Sequence, residues 1–167
     1  MEVRDLYDLN KNLTGETIFK GDKVPSDRRI LVVAIWIENS NGELLIQKRS
    51  LLKDGKWATT GGHPKSGETS LQGIITEVSE ELNLDISNED IKLIHNDSDE
   101  RVFLDMYYVK MEVDINDLTL QEEEVSEVKW ASIEEIEDII QNNEFKESHT
   151  KMFNHYLEYK KLNEAYV

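Results

Sequence analysis

Residues 62–84 contain the side chains that are best suited to metal chemistry. Glu77, Glu80 and Glu81 follow one another at i, i+3 and i+4 on a predicted helix, so they share one patch of its surface. Glu68 and a glycine-rich turn come just before that helix. Carboxylates gathered without compensating lysines repel one another, and a divalent cation would relieve the repulsion. The segment therefore predicts a site for a hard cation, although three glutamates alone are also typical of a solvated helix face.

The same helix has an apolar stripe beside its acidic patch. At about 100° per residue, the glutamates are centred roughly 120° away from the stripe. The helix can therefore pack on a sheet while its carboxylates line the edge of a cleft. The stripe consists of Leu71, Ile74, Ile75, Val78 and Leu82.

The composition of the chain narrows the range of partners. Its 167 residues include 35 acidic and 19 basic side chains, and the resulting net charge of −16 repels polymeric nucleic acid and anionic membranes. A small phosphorylated metabolite remains an acceptable partner if metal ions screen the pocket. The chain has no cysteine, which excludes thiolate nucleophiles. With no secretory leader and no apolar run of ~20 residues, we expect a cytoplasmic protein. The sequence leaves the choice between a monomer and a homodimer open.

The remaining sequence predicts the elements that position this helix. Residues 2–9 and 16–20 flank a turn-rich stretch and predict an N-terminal β-hairpin. The β-branched run 30–37 is typical of a strand buried on both faces, and the order of elements favours an α/β/α sandwich with a mixed β-sheet. We expect a hairpin extension over residues 1–27 and one domain over residues 28–162. Further strands are predicted at 43–48, 91–96, 102–113 and 128–131, and helices at 69–82, 133–141 and 146–162.

The spacing of the acidic residues resembles a known family motif, the Nudix box G-x5-E-x7-R-E-U-x-E-E-x-G-U, in which U is aliphatic. The chain matches seven of its nine specified positions. The resemblance implies that residues 28–162 form a Nudix hydrolase domain. The matching residues are Gly62, Glu68, Glu77, Val78, Glu80, Glu81 and Leu84.

The resemblance also implies a role for individual residues. Glu77, Glu80 and Glu81 correspond to the Mg²⁺ or Mn²⁺ ligands, and Gly61 lies where family members offer a backbone carbonyl to the metal. Glu68 matches a glutamate that assists the metal site or a catalytic water, and Glu80 is the second predicted catalytic residue. The implied reaction is hydrolysis of a phosphoanhydride bond in a small organic diphosphate, of nucleoside or isoprenoid type, by metal-activated water.

Two positions depart from the motif. Asn83 replaces the box glycine, which is a mild change because asparagine also tolerates the left-handed conformation of a helix C-cap. Thr76 replaces the box arginine, which in the family orients the glutamates, and threonine supplies neither the charge nor the forked donor. A second hypothesis is therefore a Nudix-fold module that binds its ligand with weak or no turnover.

His63 adds a resemblance to one branch of the family. The string GGHPKSGE is similar to the segment of isopentenyl-diphosphate isomerases in which the matching histidine is a metal ligand. However, Gly61 occupies the position of the catalytic cysteine of those enzymes. Isomerisation is therefore the third and least favoured function.

Several residues outside the box are candidates for the cleft. Arg49, at a predicted strand end, and the adjacent Lys48 could contact phosphate, although a plain surface role is equally consistent with the sequence. In the acidic loop 122–127 we select Glu124 as a catalytic residue and Glu127 as a substrate contact, and a solvated loop is the alternative. Asp105 could add a carboxylate from an outward strand position. Trp57 and Trp130 fit the core better than a stacking platform.

Overall fold

The chain folds around a mixed seven-stranded sheet with helices on both faces, as the sequence predicts. The structure is a computed structural model and describes residues 1–164. β3 is central, pairing in parallel with β8 along its whole length and antiparallel with β4 and β6. The strands are β1 (Val3–Tyr7), β2 (Leu13–Phe19), β3 (Ile30–Glu38), β4 (Leu44–Arg49), β5 (Trp57–Ala58), β6 (Thr60–Gly62), β7 (Lys92–Ser98), β8 (Val102–Lys110) and β9 (Val125–Ala131), and the helices are α1 (Ser70–Leu82), α2 (Ile133–Gln141) and α3 (Glu147–Glu164).

Two apolar cores form because side chains of β3 alternate between the two faces of the sheet. Val33, Ile35 and Ile37 contribute to the core that includes the buried face of α1. Ala34 and Trp36 contribute to the core that includes side chains of α2 and α3. The continuous apolar run of β3 therefore serves two layers, and the predicted α/β/α sandwich is confirmed.

A cleft opens where β3 and β4 separate. β4 pairs with β3 at Leu44, opposite Glu38, and farther along pairs with β5 instead, while β9 pairs with β4 along its whole length. Further along β3, Val33–Ile35 pair with the short strand β6. The glycine and small residues of segment 57–62 predict no strand, but the segment contains the short strands β5 and β6.

Helix α1 is capped at both ends. The Thr69 hydroxyl accepts the backbone N–H of Gln72, and the Gln72 side chain accepts the N–H of Thr69, forming a capping box. The helix ends at Asn83 in the left-handed region, φ 55°, as expected for an asparagine in place of the box glycine. The predicted stripe is wrong at Leu71, which is 42% exposed. The packed face begins instead at Gly73, where an added Cβ would lie 2.6 Å from Pro64 Cγ.

The predicted strand boundaries shift where a partner strand begins or ends. β8 stops at Lys110 rather than at residue 113 because its parallel neighbour β3 ends opposite it, at Glu38. β9 starts at Val125, three residues earlier than predicted, because Val125 already pairs with Arg49 of β4.

The N-terminal hairpin β1–β2 forms its own two-stranded sheet and contacts the glycine-rich loop before α1. The backbone N–H of Ser66 donates to Val3 O at 2.8 Å. The Asp5 carboxylate accepts the Ser66 hydroxyl at 2.6 Å and the Gly67 N–H at 3.0 Å. The hairpin therefore holds the loop that leads into α1 through these hydrogen bonds. Within residues 1–164, no helix is long and apolar enough to cross a membrane.

Candidate active site

The cleft between β3, β4 and α1 is a cavity of about 340 Å³ with charges of both signs in its wall. Its carboxylates come from α1, from the loop before β9 and from the residue before β1, and its cations come from β4, the loop after it, the residue before α3 and the N-terminal hairpin. The carboxylates are Glu2, Glu77, Glu80, Glu81 and Glu124, and the cations are Arg4, Lys20, Arg49, Lys53 and Lys146.

Glu81 is the most deeply buried carboxylate of the cleft, with 6% of its surface exposed. Gln47 Nε2 donates to its Oε1 at a long 3.5 Å, and its buried Oε2 has no hydrogen-bond partner among the described residues. Burial, together with the charges of Glu77 and Glu124, raises the pKa of Glu81 to about 8. Burial also raises the pKa of Glu77 to about 7, against the opposing charge of Lys65. This group of under-neutralised oxygen donors fits a divalent cation such as Mg²⁺.

The double glycine of β6 is required by close packing. A Cβ at Gly62 would lie 2.4 Å from the carboxyl carbon of Glu77, and one at Gly61 would lie 2.7 Å from Val33 O. Gly62 has no room for a side chain because the Glu77 carboxylate lies against it, and Gly61 has none because the backbone of β3 lies against it. A cysteine at position 61, as in the isomerases, would require Val33 to move.

Glu68 lies beside the carboxylate group but does not line the cavity. Its Oε1 accepts the backbone N–H of Lys65 at 2.7 Å, and its Oε2 accepts the Thr76 hydroxyl at 2.6 Å. Thr76, which replaces the box arginine, is therefore in direct contact with a box glutamate.

A lysine accompanies the box glutamates, contrary to the sequence expectation. Lys65 Nζ lies 2.8 Å from Glu80 Oε1, with both side chains partly exposed. Burial alone would lower the pKa of Lys65, but its hydrogen bond to Glu80 and the charges of Glu80, Glu77 and Glu68 raise it. Sequence reasoning missed this contact because Lys65 lies in the loop, outside the helical register of the acidic patch.

The wall opposite α1 is cationic. Arg49 faces the cavity as predicted, with its Nε 2.7 Å from Asp54 Oδ1. Lys53 pairs with Glu124, which also faces the cavity. Burial and the neighbouring charge of Arg49 lower the pKa of Lys146. Lys53 and Lys146 were not selected from the sequence, because only the folding of the loop after β4 and the docking of α3 bring them to this wall.

Three predicted substrate contacts lie outside the cavity. Lys48 and Glu127 are opposite each other in the β4–β9 ladder, on the face away from the cleft, whereas Gln47 and Arg49 line it. The alternation of β4 would have favoured Gln47 over Lys48 once Arg49 was chosen. The outward placement of Asp105 is also wrong, since it is buried and its carboxylate binds Lys11 Nζ and the Ser70 hydroxyl, each at 2.6 Å.

Two histidines line the cleft, and hydrogen bonds fix the tautomer of each. His63 Nδ1 lies 3.1 Å from Leu31 O, so it donates and leaves Nε2 with a free lone pair. Burial lowers the pKa of His63 to about 4. The Thr59 N–H donates to His149 Nδ1 at 3.2 Å, so the proton of His149 is on Nε2, and burial lowers its pKa to about 3. Sequence reasoning missed His149 because it reaches the cleft from the distant helix α3.

The two tryptophans are not exposed platforms. Trp57 is buried in the core, and Lys129 Nζ lies 4.6 Å from the centre of its ring. Trp130 is half-buried and donates its Nε1–H to Val113 O at 3.1 Å.

A second group of potential ligands lies between β7 and α3, where the Asp97 carboxylate is 3.8 Å from His95 Nε2 and 3.9 Å from His155 Nε2. The two imidazoles stack with ring centres 3.7 Å apart and planes 17° from parallel. Their in-plane lone pairs therefore run side by side rather than converge on one point, and we assign no metal to this group.

Comparison with known sequences identifies the class of protein to which this fold and this carboxylate cleft belong. A NUDIX domain model matches residues 28–156, and the chain belongs to the Nudix family. An uncharacterized Nudix hydrolase of Listeria monocytogenes is 36% identical over 150 residues, which cover 87% of this chain and 88% of the relative.

Two further comparisons show how far the similarity to known proteins extends along the chain. The crystal structure of DR0079 from Deinococcus radiodurans has the same fold, with a TM-score of 0.79 at 23% identity, over 92% of this chain and 98% of that one. The isopentenyl-diphosphate Delta-isomerase of Salmonella heidelberg is 37% identical over 62 residues, only 35% of this chain and 34% of that enzyme. The likeness to the isomerases is therefore partial.

Proposed function

We propose that this Nudix protein hydrolyses a phosphoanhydride bond in a small organic diphosphate with the help of Mg²⁺ or Mn²⁺. The observation that carries the proposal is the buried Glu81 Oε2, which lacks a hydrogen-bond partner among the described residues and belongs to a carboxylate cluster that faces a cationic wall. A buried carboxylate without a partner is costly unless a ligand completes its shell.

Glu77, Glu80 and Glu81 would hold the metal, with the Gly61 carbonyl and the His63 imidazole as further donors. His63 suits this role because its Nε2 keeps a lone pair and its pKa of about 4 leaves the ring neutral at pH 7. Bound Mg²⁺ or Mn²⁺ neutralises phosphate charge and lowers the pKa of a coordinated water.

The other residues of the cleft would bind and orient the diphosphate. Arg49, Lys53 and Lys146 present positive charge to its oxygens, and His149 offers an Nε2–H from a ring that stays neutral. Glu124 would accept the proton of the attacking water, held in place by Lys53. Glu68 would act indirectly, because its oxygens are engaged with Lys65 and Thr76 outside the cavity.

The organic group would occupy a neighbouring recess of about 470 Å³. This recess shares Val32, His63, Lys146 and His149 with the cleft, so the two cavities are adjoining. Apolar side chains of β8 and α3 line it together with Asp97 and Asp99. A mixed lining of this kind suits a group with both apolar and hydroxyl surface, such as a nucleoside.

The test is release of phosphate or nucleotide from nucleoside triphosphates, nucleotide sugars, dinucleotides and isoprenyl diphosphates, with Mg²⁺ or Mn²⁺. We expect hydrolysis of at least one class, lost in Glu80→Gln and Glu81→Gln and kept in Glu127→Gln, which alters a glutamate outside the cleft. Ligand-induced thermal shifts without turnover would instead support the binding module, the function that the replacement of the box arginine by Thr76 favours. Conversion of isopentenyl to dimethylallyl diphosphate would contradict the hydrolase.

A further inference from the structure

We propose that Lys65 is a positioning residue that holds Glu80 for catalysis, supplying from the loop the charge that the box arginine would supply from position 76. Thr76 would keep the other part of that role by orienting Glu68. The inference rests on the proposed hydrolase and adds a residue that the motif does not contain.

Lys65 and Thr76 each contact a different glutamate of the box. The ammonium of Lys65 lies 2.8 Å from Glu80 Oε1, and the hydroxyl of Thr76 lies 2.6 Å from Glu68 Oε2. Among residues 1–164, Lys65 is the ion-pair partner of Glu80, and neither Glu77 nor Glu81 has one. Three other cations of the cleft pair with different acids, Arg4 with Glu2, Arg49 with Asp54 and Lys53 with Glu124.

The backbone fixes the base of the Lys65 side chain. Its N–H donates to Glu68 Oε1 at 2.7 Å, and its carbonyl accepts the N–H of Glu68 at 2.9 Å. The next residue, Ser66, is bound to Val3 and Asp5 of the hairpin. The ammonium therefore extends from an anchored loop and not from a freely moving one.

Glu80 needs such a partner because it is the most exposed glutamate of the box, with 44% of its side chain accessible, against 37% for Lys65. A carboxylate at a helix surface samples several rotamers, and holding it in one of them improves a metal site by about threefold to tenfold. An ion pair this exposed adds little to folding stability. The loss of Lys65 should therefore change the function of the site without unfolding the protein.

The first experiment measures kcat at saturating Mg²⁺. Lys65→Met is expected to lower kcat about threefold to tenfold with an unchanged Tm, and Lys65→Arg is expected to stay within twofold of the parent. Adding Thr76→Arg to Lys65→Met should restore kcat at least threefold, because the charge returns from the family position. Lys92→Met, at an exposed pair with Asp90, is the matched control. The proposal is overturned if Lys65→Met keeps kcat within twofold, or if Lys65→Arg is no better than Lys65→Met.

The second experiment needs no substrate and separates this proposal from the hydrolase proposal. Titration with Mn²⁺ should show at least threefold weaker binding in Lys65→Met, and no such difference when Glu80→Gln is already present. This coupling would support the positioning role even if no substrate were turned over. Tighter Mn²⁺ binding in Lys65→Met would identify Lys65 as a competitor of the metal and would overturn the proposal.

Discussion

Two buried carboxylates on opposite faces of the sheet differ in their hydrogen bonding and in the direction of their pKa shifts. Glu38, at the end of β3, is 3% exposed and accepts hydrogen bonds from Tyr108, Tyr156 and Lys160. Burial alone would raise the pKa of Glu38, but these hydrogen bonds and the charge of Lys160 lower it. Glu81 is buried almost as deeply, yet one oxygen has no partner among the described residues and its pKa is raised to about 8.

The difference separates a carboxylate whose charge is fully paired from one that lies in the cleft with an unpaired oxygen. The chain provides two phenols and an ammonium around Glu38, so it can neutralise a buried acid when only stability is at stake. Around Glu81 it provides a weak contact from Gln47 and further acids. Buried polar atoms are normally satisfied, so this exception, which faces a cleft, is the observation on which the proposed cation site rests.

The largest expected effect is on activity. Glu81→Gln keeps the shape of the side chain and removes its charge, so we expect kcat to fall about 100-fold to 1,000-fold, a loss comparable to removing one preorganised catalytic group. Glu38→Gln should keep kcat within twofold. The comparison fails if the two variants lose activity equally in steady-state assays.

Metal binding should stabilise the folded protein through the unsatisfied site. At a Mg²⁺ concentration 100 times its Kd, the free energy of unfolding should rise by about 2.7 kcal/mol. Chemical denaturation with Mg²⁺ and with EDTA measures the difference. The gain should persist in Glu38→Gln and disappear in Glu81→Gln, and a gain that survives in Glu81→Gln would place the cation elsewhere.

Stability should depend on the satisfied site. Glu38→Gln removes a charge that accepts from two phenols and one ammonium, and we expect the free energy of unfolding to fall by about 2 kcal/mol. Glu81→Gln should not lower the stability of the metal-free protein, because the folded state must either hold Glu81 protonated or bury its charge without compensation, and glutamine has neither cost. Urea denaturation in EDTA tests both variants, and a more stable Glu38→Gln would reverse the interpretation.

The two sites should also give opposite pH dependences in EDTA. The pKa values of Glu81 and Glu77, about 8 and about 7, lie above their ordinary value of 4.5, so the folded state holds protons that the unfolded chain has released. The free energy of unfolding therefore falls as the pH rises from about 5 to about 8, by at most about 1.4 kcal/mol per pH unit for each group.

Glu38 acts in the other direction. Because its pKa is lowered, its stabilisation is present above pH 4.5 and is lost as the pH falls through its folded-state value. Thermal melts across this pH range test both the loss of stability toward acidic pH and the loss of stability toward pH 8. A Glu77→Gln, Glu81→Gln double variant should reduce the loss toward pH 8. An unchanged loss would assign it to general repulsion among the acidic side chains.

The sequence predicted the parts of the site that follow one helix. Spacing placed Glu77, Glu80 and Glu81 together, and the tolerance of asparagine for positive φ explained Asn83. The hairpin and the main strands followed from turn residues and β-branched runs. These features are local, so the pattern of one segment is enough to predict them.

The remaining site residues depend on tertiary contacts. Lys146 and His149 reach the cleft because α3 docks beside β5, where Trp57 pairs with Phe145. Asp105 turns inward because Lys11 of the hairpin and Ser70 of α1 bind it. Lys48 was one residue out of phase, an error that the two-residue period of a strand turns into the opposite face. Whether the domain begins at residue 28 stays a prediction.

The N-terminal segment contributes to the cavity from outside the matched domain. The matched NUDIX domain starts at residue 28, yet Glu2, Arg4 and Lys20 line the cavity, and Asp5 anchors the loop that carries Lys65. Substitutions at these three N-terminal positions would therefore change the charge at the wall of the cavity without altering the sequence of helix α1.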